Sequence, residues 1–264
     1  MAIKVLVSGT GKMGREVLAA TCREAELEPV GVLERFAREE YLSLPDGSGL
    51  VPFGPEPAAL LTRTRPDVAV DFTNAEWTPT VAREALEANV RLVIGTTGLS
   101  DAFIHELGQE CRQRKLGAVV CPNFALGAVL MIHLARIAGR FFDYAEVIEL
   151  HHEAKADAPS GTAITTARAM SQARGTPFVR PPTGKQTVEG TRGGAVEGVT
   201  IHSVRLPGLV AHQEVILGGP GQTLTLRHDS ISRESFMPGV VMAIRDVMQR
   251  QELVLGLERL IGLE

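Results

Sequence analysis

The chain has 264 residues, with 27 Lys and Arg against 31 Asp and Glu and a formal net charge of -4. That length suits one large domain or two modest ones. No basic field exists to hold nucleic acid, so an anionic ligand needs a local cationic pocket. The three cysteines, Cys22, Cys111 and Cys121, are too sparse for a disulfide framework or a zinc site. They read as small buried hydrophobes in a reducing cytoplasm. The chain starts directly on a strand-like run without a leader-type segment, and no apolar stretch approaches the roughly 20 residues of a membrane span. The expected setting is cytoplasmic, with no membrane, nucleic acid or metal partner.

In chain order, residues 3–8 form a short apolar run and predict a strand. Residues 13–24 have apolar positions at helical spacing, and 28–33 predict a second strand. Further along come a strand at 68–72, a helix at 78–88, a strand at 91–94, a helix at 101–115 and a strand at 118–121. This βαβ alternation predicts a parallel sheet covered on both faces, in an α/β domain over residues 1–124. From Phe124 onward the rhythm changes. Residues 127–138 read as an apolar helix, 146–152 as a strand and 161–174 as another helix. A polar stretch rich in Pro and Gly, 175–198, shows no period and reads as functional or mobile. Strands at 199–205, 211–217 and 223–228 follow, separated by Pro207-Gly208 and by Gly218-Gly219-Pro220-Gly221. Strands in a run after helices predict an α+β second domain with a mixed or antiparallel sheet from Phe124 onward. Residues 238–251 carry an apolar stripe and predict a helix, but periodicity does not say which domain it joins.

Between the first strand and helix stands Gly9-Thr10-Gly11-Lys12-Met13-Gly14, a G-x-G-x-x-G run in strand–turn–helix context. The first glycine permits the tight turn, the second leaves bare backbone for a pyrophosphate, and the third lets helix pack on strand. The free amides of the first helical turn then face the phosphates. Glu34, 20 residues after Gly14, ends the second strand, where a carboxylate grips ribose hydroxyls. Arg35 follows it. Glu34 favours a free 2′-hydroxyl, whereas Arg35 and Lys12 suit a 2′-phosphate, so both NADH and NADPH are expected to serve.

The second chemical cluster runs from Glu149 to Ala163 and includes His151, His152, Lys155, Ser160, Gly161 and Thr162. Adjacent histidines on a strand point to opposite faces, which argues against a simple metal pair. Lys155 brings a cation to the same edge. Pro159-Ser160-Gly161-Thr162 opens a helix with Ser160 as N-cap, exposing amides for a carboxylate, and the Thr162 hydroxyl can join them. A proton donor, a cation and a bare helix start within a dozen residues make an anion pocket. Any one of these residues alone reads as structural, and Ser160 alone reads as a plain cap.

This run closely resembles the signature of the dihydrodipicolinate reductase (4-hydroxy-tetrahydrodipicolinate reductase) family, E-x-H-H-x-x-K-x-D-A-P-S-G-T-A, and every specified position is present. The resemblance extends to Gly95-Thr96-Thr97-Gly98, to Pro122-Asn123-Phe124 and to Ser203-Val204-Arg205, and so covers essentially the whole chain. One departure is the glycine loop, one residue shorter than in many members and with Lys12 where arginine is frequent. The resemblance implies a Rossmann-type nucleotide-binding domain at 1–124, completed by 234–264, and a substrate domain at 125–233 whose mixed sheet drives assembly of a homotetramer. It implies reduction of a cyclic imine dicarboxylate by NADH or NADPH, and closure about a hinge when both ligands bind. By the same resemblance His151 supplies a proton and Lys155 stabilises negative charge. His152, Ser160, Gly161 and Thr162 bind substrate, while Gly95, Thr96, Thr97, Cys121, Pro122, Asn123 and Phe124 line the nicotinamide end. Chemistry agrees, since a reduced conjugated imine must be protonated and a histidine suits that near neutrality. Two alternatives stand beside this reading: another two-domain Rossmann amino-acid dehydrogenase, or a non-catalytic NAD(P)-sensing protein.

Overall fold

The computed structural model describes residues 2–263. Its elements in chain order are β1 (Ile3–Ser8), α1 (Lys12–Arg23), β2 (Leu27–Leu33), β3 (Tyr41–Ser43), β4 (Leu50–Gly54), α2 (Pro57–Thr64), β5 (Val68–Asp71), α3 (Thr78–Glu87), β6 (Arg91–Ile94), α4 (Asp101–Arg114) and β7 (Ala118–Val120). There follow α5 (Leu126–Ala138), β8 (Tyr144–His151), α6 (Gly161–Arg174), β9 (Gly194–Val196), β10 (Val199–Arg205), β11 (Ala211–Gly219), β12 (Gln222–Ser230), α7 (Met237–Val247), β13 (Leu253–Leu255) and α8 (Leu257–Leu260). The chain divides into two compact units, one reaching to Ala125 and resuming at Phe236, the other spanning Leu126–Ser235.

In the first unit eight strands form one sheet in the order β13-β7-β6-β5-β1-β2-β4-β3. All neighbours are parallel except β3, which pairs antiparallel with β4. The four residues of β5 are all buried, as strands flanked by helices on both faces must be. Leu6, Ala69, Leu92, Ile94 and Val120 pack there with Val81, Ala85 and Leu107 from α3 and α4. Each large aliphatic side chain so buried contributes about 1.5–3 kcal/mol. Ser100 caps α4 by accepting from the Phe103 amide, and Lys115 in the left-handed region closes it. Periodicity does not reveal β3, β4, α2 or β13. β3 and β13 have three residues each, and β4 holds Pro52, so none offers a readable pattern.

The second unit is a five-stranded mixed sheet, β12-β11-β8-β10-β9. Central β8 runs parallel to β10 and antiparallel to β11. Helices α5 and α6 cover one face, where Met131, Ala135, Ala163, Ala167 and Met170 meet Val147, Val215, Leu217 and Ile201. Strand alternation sends Ile148, Leu150, Val204 and Ile216 to the opposite face, where they are half-buried and no helix of the unit packs. The polar stretch before β10 is anchored at both ends. Phe178 enters the core at 4% exposure, with the Arg174 guanidinium 5.2 Å from its ring centre, and β9 pairs with β10.

Candidate active site

The C-terminal ends of four strands line up across the first unit. Ser8 pairs with Asp71, Asp71 with Ile94 and Ile94 with Val120. Segments 9–14, 72–74, 95–98 and 121–124 therefore leave the sheet along one edge. Strand addition reverses between β1 and β5, the switch point where open α/β sheets hold ligands.

The glycine loop has the shape a dinucleotide requires. Gly9 sits at φ +103°, and a Cβ on Gly14 would fall 2.0 Å from the Gly9 carbonyl oxygen, so only glycine lets α1 cross the turn. Gly11 is the N-cap of α1, and nothing lies within 4 Å of where its Cβ would be. That bare backbone at a helix start fits a pyrophosphate. Glu34 is folded back on the loop: its Oε2 accepts from the Thr10 amide at 3.0 Å and the Thr10 hydroxyl at 2.6 Å. Burial works to raise the Glu34 pKa, but the Thr10 bonds and the Phe36 and Arg35 amides hold it below the ordinary value. Arg15 steadies the same loop by donating to the Thr10 carbonyl at 3.0 Å. The Arg35 guanidinium lies 5.6 Å from the ring centres of both Phe36 and Trp77. Lys12 is exposed and Met13 half-buried at the start of α1.

The neighbouring loops are tied to one buried carboxylate. Asp71 accepts from Thr73 at 2.9 Å, from Thr78 at 2.5 Å and from Thr96 at 2.8 Å, and the Thr96 hydroxyl in turn receives the Thr73 amide. The Thr96 side chain thus looks inward, leaving backbone and the exposed Thr97 to face outward. A Cβ on Gly95 would fall 2.1 Å from the Phe72 ring, which itself tilts against Phe124 with centroids 5.5 Å apart. Phe124 is buried, Pro122 exposed, and Asn123 accepts the Ala125 amide at 2.9 Å. The Cys121 thiol is buried, with its pKa pushed up to about 12 chiefly by that burial, so only its backbone is open to a ligand.

The second unit gathers the His-His-Lys run and the helix start. Glu149 and His151 share one face of β8, two residues apart, and half-buried His152 follows on the other side. Beyond β8 the Lys155 amide donates to the His152 carbonyl at 3.2 Å, and Lys155 Nζ bonds Asp157 at 2.6 Å. Ser160 Oγ accepts the Ala163 amide and its carbonyl accepts that of Ile164. The two amides ahead of these, of Gly161 and Thr162, have no acceptor inside the helix. Gly161 is exposed, with nothing within 4 Å of a Cβ placed on it. Ser160, expected to touch ligand, is 2% exposed with its hydroxyl engaged in the cap.

Sequence reasoning misses what sits behind this cluster. The Glu149 carboxylate is 0% exposed and accepts from His151 Nδ1 at 2.6 Å, from two Arg205 nitrogens at 2.9 Å each, and from the Ser160 amide at 3.2 Å. Arg205 also donates to the Asp157 carbonyl at 2.6 Å. Burial acts to raise the Glu149 pKa, but Arg205, Ser203 and His151 pull it below the ordinary value. Burial also lowers that of His151, and with Lys155 and Arg205 outweighs the opposing pull of Glu149. Strand parity with His151 is the sequence signal for Glu149. For Arg205 the sequence offers only its place in the Ser203-Val204-Arg205 resemblance and no role, because only the β8–β10 register sets it beside His151. Among the described residues no group of three or more His, Cys, Asp or Glu is placed to hold a metal, and no helix is long and apolar enough to cross a membrane.

Comparison with known proteins gives a consistent result. The family profile "Dihydrodipicolinate reductase, N-terminus" matches residues 3–124, and "Dihydrodipicolinate reductase, C-terminus" matches 127–261. A 4-hydroxy-tetrahydrodipicolinate reductase of Dehalococcoides mccartyi is 49% identical, with 99% of each chain covered. That of Moorella thermoacetica is 47% identical, with 98% of each covered. Among solved structures, a dipicolinate-bound dihydrodipicolinate reductase from Paenisporosarcina sp. TG-14 superposes with a TM-score of 0.87 at 42% identity, over 98% of this chain and 99% of that one. With a Rossmann-type sheet, a mixed-sheet unit and full-length matches of this kind, the chain belongs to the dihydrodipicolinate reductase family.

Proposed function

We propose that the chain catalyses the NAD(P)H-dependent reduction of 4-hydroxy-tetrahydrodipicolinate to tetrahydrodipicolinate, in diaminopimelate and lysine biosynthesis. The observation that carries this reading is the meeting, in one stretch of the second unit, of His151, Lys155 and the open amides of Gly161 and Thr162. A dianion finds there an ammonium and two N–H donors, with a histidine to move a proton. In this assignment His151 supplies the proton and Lys155 holds developing negative charge. His152, Gly161 and Thr162 bind the carboxylates, and Ser160 serves by fixing the helix start. The segment 125–233 is then the substrate domain.

The nucleotide-binding domain is 1–124 with 234–264. Its loop 9–14, Glu34 and Arg35 hold the adenosine and pyrophosphate, and 95–97 with 121–124 line the nicotinamide end. When bound, NADH or NADPH supplies the hydride. The second unit's open sheet face, with Ile148, Leu150, Val204 and Ile216, supports assembly into a homotetramer through that sheet. The unpaired cysteines suit a cytoplasmic location.

Four outcomes follow. His151→Gln or Lys155→Ala lowers turnover by about 10²–10⁴-fold while cofactor affinity, read by fluorescence titration, barely changes; near-wild-type turnover in both would refute the assignment. Gly161→Ala has room for its methyl, so melting is unchanged. The methyl nonetheless covers the amide, and KM for the dicarboxylate rises about tenfold or more; an unaltered KM removes that amide from the site. Michaelis constants for NADH and NADPH lie within about a thousandfold of each other, because Glu34 and Arg35 favour opposite ribose states. Sedimentation velocity gives a tetramer, and a monomer at micromolar concentration rules the assembly out.

A further inference from the structure

The contacts behind His151 centre on one buried carboxylate, that of Glu149. Glu149 ends neither in solvent nor against a free cation. Its two oxygens receive an imidazole nitrogen, both terminal nitrogens of Arg205 and one backbone amide. We infer that Glu149 and Arg205 are positioning residues for the proton step: Glu149 accepts the hydrogen bond of the His151 Nδ1–H and leaves Nε2 as the nitrogen facing the ligand, while Arg205 holds that carboxylate ionised and in place. The inference rests on the reading of His151 as proton donor.

The chemistry is constrained. An ionised carboxylate only accepts, so in a 2.6 Å contact with Nδ1 the hydrogen belongs to the imidazole. A neutral imidazole has one N–H, and if it is spent on Glu149 then Nε2 carries the lone pair. Nε2 takes a proton from solvent and becomes imidazolium beside the carboxylate. That proton then passes to the substrate carbon. Glu149 ends the cycle unchanged, and the Nδ1 hydrogen never leaves. Arg205 fits its task because its planar fork engages both oxygens, which the point charge of lysine cannot do. It also joins the parts of the site, since the same guanidinium holds the Asp157 carbonyl two residues past Lys155. Glu149 in turn holds the Ser160 amide that begins the anion-binding helix.

The charges facing His151 are Glu149 on its own strand, Arg205 on β10 and Lys155 in the following turn; β11 offers only Ala211 opposite it. Removing the negative charge therefore leaves two cations acting on the imidazole.

The test uses the full-length enzyme. ¹⁵N NMR of the His151 ring, assigned by loss of its signals in His151→Gln, is expected to show the Nδ1–H tautomer above neutral pH; an Nε2–H tautomer overturns the inference. Glu149→Gln is expected to lower kcat by about 10²-fold or more with KM within about threefold. It also moves the His151 limb of the pH–rate profile to lower pH. Arg205→Lys, which keeps the charge but not the fork, is expected to fall between Glu149→Gln and wild type. A purely structural clasp would lower the melting temperature and leave kcat per folded enzyme and the pH profile unmoved, and that result also overturns it. If Glu149→Gln does not fold, the tautomer in the wild-type enzyme decides alone. Loss of activity in His151→Gln together with an unaffected Glu149→Gln sinks only this inference, whereas full activity in His151→Gln sinks the functional reading beneath it.

Discussion

Taking a carboxylate out of water costs several kcal/mol unless its charge is paired and its lone pairs are filled. Glu149 has no exposed surface, so its four donors are a condition of its being there at all. Those donors come from three places, β8 itself, β10 and the start of α6, and Arg205 also holds the turn between β8 and α6. Satisfying one acid group thereby sets the mutual positions of the imidazole, the lysine turn and the open helix start. Such a network is close to all-or-none, because deleting any donor leaves a buried charge underpaired rather than merely losing one bond.

The first unit repeats the device on its own terms. Asp71 ends β5 fully buried, and three threonine hydroxyls from two loops and α3 converge on it. Glu34, just past β2, draws the glycine loop toward it through Thr10. In both cases a carboxylate near the C-terminal end of a strand fixes loop backbone, and the loops are then free to present amides and glycines outward. Rigid side chains behind and bare backbone in front is what a site for charged, planar ligands needs.

Much of this was legible in the sequence, and the reasons differ by element. Buried parallel strands such as β1 and β5 are short apolar runs between helical periods, and Gly9, Gly11 and Gly14 sit where turn, bare backbone and helix crossing demand them. The run from His151 to Thr162 was legible because its members are neighbours in sequence. The strands β3 and β13 were not, since three residues carry no period. The resemblance implies ligand-side places for Thr96 and Ser160, and in the fold each hydroxyl is turned inward, so what these two residues present outward is backbone. Orientation depends on a partner elsewhere in the chain, Asp71 for one and the helix amide of Ala163 for the other. Arg205 is the sharpest case: 54 residues separate it from His151 in sequence, and only the pairing of β10 with β8 brings them together.

That arrangement bears on how a protein of net charge -4 handles a dianion. Long-range attraction is absent, so affinity must come from contacts made at the last few ångströms. In the resting chain Lys155 is engaged by Asp157, an exposed partner whose loss to solvent costs little. On the proposed reading, a ligand carboxylate exchanges with Asp157 at the ammonium, and a second carboxylate takes the helix amides. A monoanion can satisfy only one of these, and gains little over the intramolecular pair it displaces. His151, held below its ordinary pKa mainly by burial, is uncharged near neutrality until such a ligand arrives. On the same proposed reading, two added negative charges raise its proton affinity, so the imidazole carries a proton when there is a substrate beside it to receive one.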